Sequence, residues 1–288
     1  VQRQLKAIAP GISVILKRIQ TSGDKIQDVP LAKIGGKGLF VKEIEEALLR
    51  REIDLAVHSM KDVPSVLPEG LEIVCVPERE DPRDALIARE GQSLGKLPVG
   101  GRVGTSSLRR QAQVLHVRPD LEIAVLRGNV DTRLRKVREN HFDAIILAAS
   151  GLKRLGWEQE VTEYLSLDVS LPAIGQGSLG LEGRKDDAFV RDLVAQFEHR
   201  PTRIAVTAER ALLTRLEGGC QVPIAGYATL QGDTLTLDGL VASLDGKRYI
   251  RRVLSGSADE AVSLGTRVAE QLLDGGAQPI LQEIYGTA

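Results

Sequence analysis

A chain of 288 residues is longer than one hydrophobic core usually serves, so two or three domains are expected. Hydrophobic residues make up 42% and charged residues 27%, and 38 basic against 39 acidic side chains leave a net charge of −1, which with only 3% aromatics opposes a nucleic-acid-binding surface. No apolar run approaches the roughly 20 residues of a membrane span, no charged-then-apolar leader opens the chain, and two cysteines cannot build a disulfide framework, so a cytoplasmic protein is expected.

In chain order, residues 39–52 carry Val41, Ile44 and Leu48 at helical spacing behind a glycine-rich stretch, and 53–57 and 71–76 read as strands. Strand-like segments at 102–105, 122–126 and 143–149 then alternate with helical ones at 106–117 and 130–140, the pattern of βαβ units around a parallel sheet. PEREDP (77–82) and LPAIGQG (171–177) read either as ordinary surface turns or as paired hinges between two lobes, and composition leaves both open. The last third changes character. A helix over 203–217 is stopped by Gly218-Gly219, and strands at 226–230, 234–242 and 248–254 are separated by turns at Gly232-Asp233 and Asp245-Gly246. Ser257 and Glu260 form a capping box for a helix ending near Gly275, which completes a small α+β module.

Most familiar sites are missing from the pattern. The four histidines have no metal-ligand spacing with each other or with cysteine, so no metal is expected. Gly35 to Gly38 lacks the spacer and the Ser/Thr of a phosphate-binding loop. The informative feature is where cations and hydroxyls fall, because ligands of parallel sheets bind beyond the strands' carboxyl ends, where helix N-termini favour anions. Thr105, Ser106 and Ser107 end one strand and open a helix bearing Arg109 and Arg110. Arg127 ends the next strand and Arg133 begins its helix, while Lys153 and Arg154 follow the third. Lys61 and Asp62 follow a strand of the first lobe. Guanidinium groups clamp carboxylates bidentately, which suits a ligand with several carboxylates, and phosphate fits equally well. Cys220 sits on a glycine loop between helix and strand, either as a reactive thiol or as an inert one, whereas Cys75 lies within an apolar strand as a core thiol.

At these residues the sequence resembles the porphobilinogen deaminases, also called hydroxymethylbilane synthases. The matching stretches are KIGGKGLF (33–40), AVHSMKDVP (56–64), EDPRD (80–84), GTSSLRRQ (104–111), LRGNVDTRL (126–134), LPAIGQG (171–177), Glu209-Arg210 and EGGCQVPI (217–224). The resemblance implies a transferase of tetrapyrrole biosynthesis, in the haem and chlorophyll pathways. Such an enzyme joins four porphobilinogen molecules head to tail on a covalent dipyrromethane primer, releases ammonia, and yields linear hydroxymethylbilane. It implies a thioether from Cys220 to dipyrromethane, Asp62 as the catalytic carboxylate, and cofactor and substrate binding by Lys37, Lys61, Thr105, Ser106, Ser107, Arg109, Arg110, Arg127, Arg133 and Arg154. It implies an α/β fold of two periplasmic-binding-protein-like lobes with paired hinges, and a C-terminal α+β domain with a three-stranded antiparallel sheet. The domains would be 1–77 with 178–198, then 83–171, then 199–288. The protein is expected to be a monomer without nucleic-acid or membrane partners. The family's opening strand and Thr-Arg-x-Ser-x-Leu-Ala loop do not occur here, so the first domain is expected to lack that strand and the chain as written to be poorly active. The competing reading is a two-lobed binding protein for a polycarboxylate, without chemistry.

Overall fold

The structure, a computed structural model, describes residues 1–21, 41–217 and 222–285. Lys37, the glycines around it, residues 39–40 and Cys220 lie outside the described residues. Helices α1 (Gln2–Ile8) and α2 (Lys42–Leu49) precede strands β1 (Ala56–Ser59) and β2 (Leu71–Cys75). The chain continues through β3 (Asp84–Ala88), β4 (Arg102–Gly104), α3 (Leu108–Val117), β5 (Glu122–Ala124) and α4 (Val130–Arg138). Then come β6 (Ala144–Ala148), α5 (Ala149–Leu155), β7 (Glu163–Tyr164), β8 (Leu179–Arg184) and α6 (Ala188–Ala195). The last part holds α7 (Arg200–Arg215), β9 (Ile224–Gln231), β10 (Thr234–Ala242), β11 (Tyr249–Ser257), α8 (Ala261–Leu272) and α9 (Gln278–Tyr285).

Three sheets organise these elements into a mixed α/β architecture. In the five-stranded sheet, of order β5-β4-β6-β3-β7, β4 runs parallel to β5 and β6, as the βαβ pattern predicts. The sequence reading missed β3, which runs antiparallel to both β6 and β7. Every residue of β3 is buried, so no polar–apolar alternation marks it as a strand. The first sheet departs from the parallel expectation, because β8 lies between β1 and β2 and is antiparallel to each. The third sheet, of order β11-β10-β9, is antiparallel throughout, and Gly232 (φ 60°) and Gly246 (φ 71°) make its turns.

Helices α7 and α8 cover this third sheet, with Leu212, Leu235, Leu237, Leu264 and Leu272 fully buried between them. The capping box does not form. Ser257 Oγ accepts from Asp259 N (3.4 Å) within a short 3-10 turn, and Glu260 lies 3.9 Å from Arg267 instead. The helix ends at Leu272, and the chain turns through Gly276 (φ 99°) into α9, which the sequence did not announce.

The chain passes from the first sheet to the second through residues 76–83 and returns through 171–178, and the two segments lie side by side. Glu80 N donates to Gly177 O (3.2 Å), Arg79 Nε to Gln176 O (2.9 Å) and Gln176 Nε2 to Pro82 O (2.7 Å). Glu209 of α7 ties the third module to the same place. Its carboxylate is fully buried, accepts from Arg79 and from the backbone N–H of Gly175 (2.7 Å) and Ala228 (2.9 Å), and so meets its desolvation cost with four charge-assisted bonds.

Gly177 adopts φ +89°, and a Cβ there would run into the Glu80 carbonyl. Gly177→Ala is therefore expected to cost about 1–3 kcal/mol through backbone strain. Urea denaturation should show a lower midpoint; an unchanged one would contradict this close approach.

Candidate functional site

Asp84, the first residue of β3, is fully buried and holds two guanidinium groups. Arg109 Nη1 donates to Asp84 Oδ2 (2.8 Å), and Arg110 donates to Oδ1 through Nε (3.0 Å) and Nη2 (2.7 Å). Ser170 Oγ (2.7 Å) and Gln176 Nε2 (2.9 Å) complete its shell. Burial opposes ionisation, but the two arginines dominate and hold this carboxyl far below the usual carboxylate range. Arg109 is only 5% exposed and Arg110 7%, and each donates its remaining bond to a backbone carbonyl, Leu171 O (2.6 Å) and Ile146 O (3.0 Å) respectively. The sequence read both as ligand clamps. The geometry gives them an internal carboxylate as partner.

The strand ends meet as the parallel topology requires. Ser107 caps α3 by accepting from Arg110 N (3.4 Å), Thr105 Oγ1 accepts from Ser107 N (3.1 Å), and Ser106 Oγ donates to Leu126 O (2.5 Å). These hydroxyls thus shape the loop that links one strand end to the next. Asn129 Oδ1 caps α4 by accepting from Thr132 N (2.9 Å), which puts Arg127 just ahead of the helix and Arg133 on its first turns. Arg133 Nε donates to Gly128 O (2.8 Å). Burial, with Arg110 and Arg127 nearby, lowers the Arg133 pKa to about 10. Arg110, Arg127 and Arg133 therefore form one cluster of like charge. Arg154 donates to Gly177 O (2.9 Å) at the return crossing, and Lys153 pairs with Glu80 (2.8 Å).

The first lobe contributes a 3-10 turn, Met60–Asp62, directly after β1. Met60 N donates to Ser178 O (3.0 Å), and Arg210 of α7 donates to Val63 O (3.1 Å) and Pro64 O (2.6 Å), so the turn is pinned on both sides. Burial lowers the Lys61 pKa, Asp62 and Asp84 raise it, and Arg110 and Arg109 lower it, which places Lys61 against the Asp84 cluster of the second lobe. Asp62 is exposed to solvent, yet protein mass around it raises its carboxyl pKa against the pull of Lys61 and His58.

The structure thus sets Lys61 beside Asp62 and near Arg109, Arg110 and Asp84, and Arg133 near Arg110 and Arg127, with Arg154 at the crossing. Lys37 and Cys220 lie outside the described residues. Sequence reasoning missed the role of Asp84, although an acid heading an otherwise apolar run is itself a signal of a buried charge partner. Cys75 is fully buried and its thiol is pushed up to about 12 by burial, which fits an unreactive core thiol. Among the described residues no cluster of His, Cys, Asp and Glu could hold a metal, and no helix is long and apolar enough to cross a membrane.

Residues 1–192 match the family profile "Porphobilinogen deaminase, dipyromethane cofactor binding domain", and 203–274 match "Porphobilinogen deaminase, C-terminal domain". The porphobilinogen deaminase of Syntrophobacter fumaroxidans is 59% identical over 285 residues, covering 99% of this chain and 92% of that protein. Those of Geobacter metallireducens (59% over 285 residues, 99% and 89%) and Syntrophotalea carbinolica (60% over 281 residues, 98% and 89%) are similar to a like degree. Among solved structures, a probable amino-acid ABC transporter extracellular-binding protein of Bacillus subtilis is 12% identical, with a TM-score of 0.39 over 68% of this chain and 76% of that one.

Asp84→Asn keeps the shape but leaves two buried guanidinium groups facing one neutral amide, at a cost of about 3–5 kcal/mol. Because the folded carboxyl titrates far below its unfolded value of about 3.9, its stabilisation is complete above that pH and fades as pH falls towards the folded value. Urea titrations should therefore show a wide gap between wild type and Asp84→Asn at neutral pH and a narrower one near about pH 3. A gap that stays constant would refute the ionised hub.

Proposed function

The chain belongs to the porphobilinogen deaminase family, a family of transferases with a dipyrromethane cofactor, and from that membership and the crevice we propose a division of labour among its residues. The enzyme condenses porphobilinogen head to tail with loss of ammonia, giving hydroxymethylbilane. The supporting observation is the Arg110–Arg127–Arg133 cluster with Lys61: burial first, and then neighbouring arginines, lower the pKa values of Arg133 and Lys61. Each pyrrole carries an acetate and a propionate, so this donor set fits both the cofactor's and the substrate's carboxylates. Arg127, Arg133, Lys61 and Arg154 bind those carboxylates. Arg110 acts mainly through its field, and Arg109 holds the architecture through Asp84. Thr105, Ser106 and Ser107 build the loop that presents these cations, and Lys37 belongs to the same binding set. Dipyrromethane, when bound, supplies the free pyrrole carbon on which the chain is extended, and Cys220 is its attachment point. Three domains, 1–77 with 178–198, then 83–171, then 199–288, supply the two walls and the attachment loop.

Asp62 carries the chemistry. Loss of the aminomethyl nitrogen from porphobilinogen leaves a cation delocalised onto the pyrrole nitrogen. A fixed carboxylate beside that nitrogen stabilises the charge, delivers a proton to the departing amine, and accepts one from the new carbon–carbon junction, so that one ammonia leaves for each bond formed. A pKa raised by burial suits this exchange, since the carboxyl must both give and take a proton. A polycarboxylate-binding protein without chemistry would share the cations but would have no use for Asp62 in that place.

Porphobilinogen turnover tests the reading. Asp62→Asn should lower single-turnover ammonia release roughly 10²-fold or more while leaving the cofactor attached. An Asn variant matching wild type would remove Asp62 from the mechanism. Peptide mapping should place the pyrrole adduct on the Cys220 peptide and not on Cys75, and a Cys220→Ser protein that still carried it would sink the attachment. Arg127→Ala should impair chain extension, with Arg127→Lys only a partial rescue because a point charge cannot make the bidentate fork; full porphyrin yield after oxidation in the Ala variant would contradict carboxylate binding there.

A further inference from the structure

Helix α7 of the third module grips the Met60–Asp62 turn of the first lobe through two side chains one helical turn apart. Val206 is buried in one apolar cluster with Met60 and Val63, the residues that flank Lys61 and Asp62. Arg210, four positions on and so on the same face of α7, donates to Val63 O (3.1 Å), Pro64 O (2.6 Å) and Ser65 O (3.4 Å). The first of these carbonyls belongs to the residue that follows Asp62. Met60 in turn fills a slot between two glycines. A Cβ at Gly175, on the return crossing, would lie 2.8 Å from Met60 Cβ, and one at Gly180, in β8, would strike Met60 Sδ. The turn is thus seated on the strand side and clamped on the helix side. Glu209, next to Arg210, anchors the helix itself on Arg79, Gly175 and Ala228.

The partners of Arg210 among the described residues are main-chain carbonyls and no carboxylate. Asp62 therefore feels the clamp through the backbone and not through an ion pair. We propose that Arg210 is a positioning residue for Asp62: by holding the carbonyls of 63–65 it fixes where the carboxylate stands, and so couples the third module to the chemistry of the first lobe. This rests on the assignment of Asp62 above. A guanidinium suits the task, because its rigid planar fork holds more than one carbonyl at fixed geometry, whereas an ammonium is a point donor on a flexible stem. Misplacing a reacting group by about 1 Å can cost roughly 10²-fold in rate, so a loosened turn should be visible in turnover. Because Arg210 acts behind the turn, the effect falls on kcat and not on KM.

The test uses the holoenzyme with porphobilinogen, with rates counted per cofactor-loaded molecule by intact mass. Arg210→Met keeps an unbranched stem and removes every donor. It should lower kcat about tenfold with KM within about twofold. Arg210→Lys should lose less, about threefold, since it keeps a donor without the fork. The deciding measurement is a double-mutant cycle on single-turnover ammonia release. In the Asp62→Asn background no carboxylate is left to position, so Arg210→Met should change the rate by no more than about twofold, against about tenfold in the wild-type background. A contact that only supports the fold would lower the melting temperature and leave kcat at the wild-type level, which overturns the proposal. Equal losses in both backgrounds overturn it too, because Arg210 would then act independently of Asp62. If Arg210→Met does not fold, Arg210→Lys carries both comparisons. An Asp62→Asn protein equal to wild type fails the assignment of Asp62 itself and this inference with it; an impaired one beside a silent Arg210→Met fails only the role of Arg210.

Discussion

One buried carboxylate sets the geometry on which the crevice depends. Asp84 opens a central strand, and its two oxygens gather Arg109 and Arg110 from α3, Ser170 ahead of the return crossing and Gln176 within it. A strand, a helix and a crossing that are distant in sequence thus meet on one group. Two guanidinium groups against one carboxylate also leave a surplus positive charge, and the interior cannot screen it as water would. Burial lowers the pKa values of Lys61 and Arg133, and Arg110 lowers them further.

This is where the sequence could be read and where it could not. The topological rule for parallel sheets put the cations of 109–110, 127, 133 and 154 at strand ends, and β4, β5 and β6 are parallel as that rule needs. Which cations face a ligand was not legible, because that depends on Asp84, which is separated from Arg109 by 25 residues and hidden in a strand without alternation. The antiparallel placement of β8 was equally hidden, since its pairing partners β1 and β2 precede it by more than 100 residues. The His58–Glu182 pair spans 124 residues and exists only through that register. Local signals did better in the third module, where Gly232 and Gly246 turn adjacent strands and each pairing is with the next strand along.

The crossing between lobes is where these constraints act together. Glu209 draws α7 onto Arg79 and Gly175, so the module whose helix leads towards Cys220 is anchored on the crossing itself. The adjacent Arg210 reaches the segment that follows Asp62. Consecutive residues of one helix therefore tie the crossing to the segment that follows Asp62. A rigid helix carries little conformational entropy to lose, so this linkage fixes the Asp62 side of the crevice relative to the third module at small cost.

The arginine at the return crossing has fewer partners than Arg109 or Arg110 among the described residues. Arg154 spends a single bond on the Gly177 carbonyl, an acceptor it shares with the Glu80 amide, and its other donors remain on an exposed side chain. Partial burial of its guanidinium lowers its pKa against the pull of Glu80, and burial does the same for Arg133. A carboxylate arriving at either arginine relieves that cost, and the gain is largest where like charges are closest.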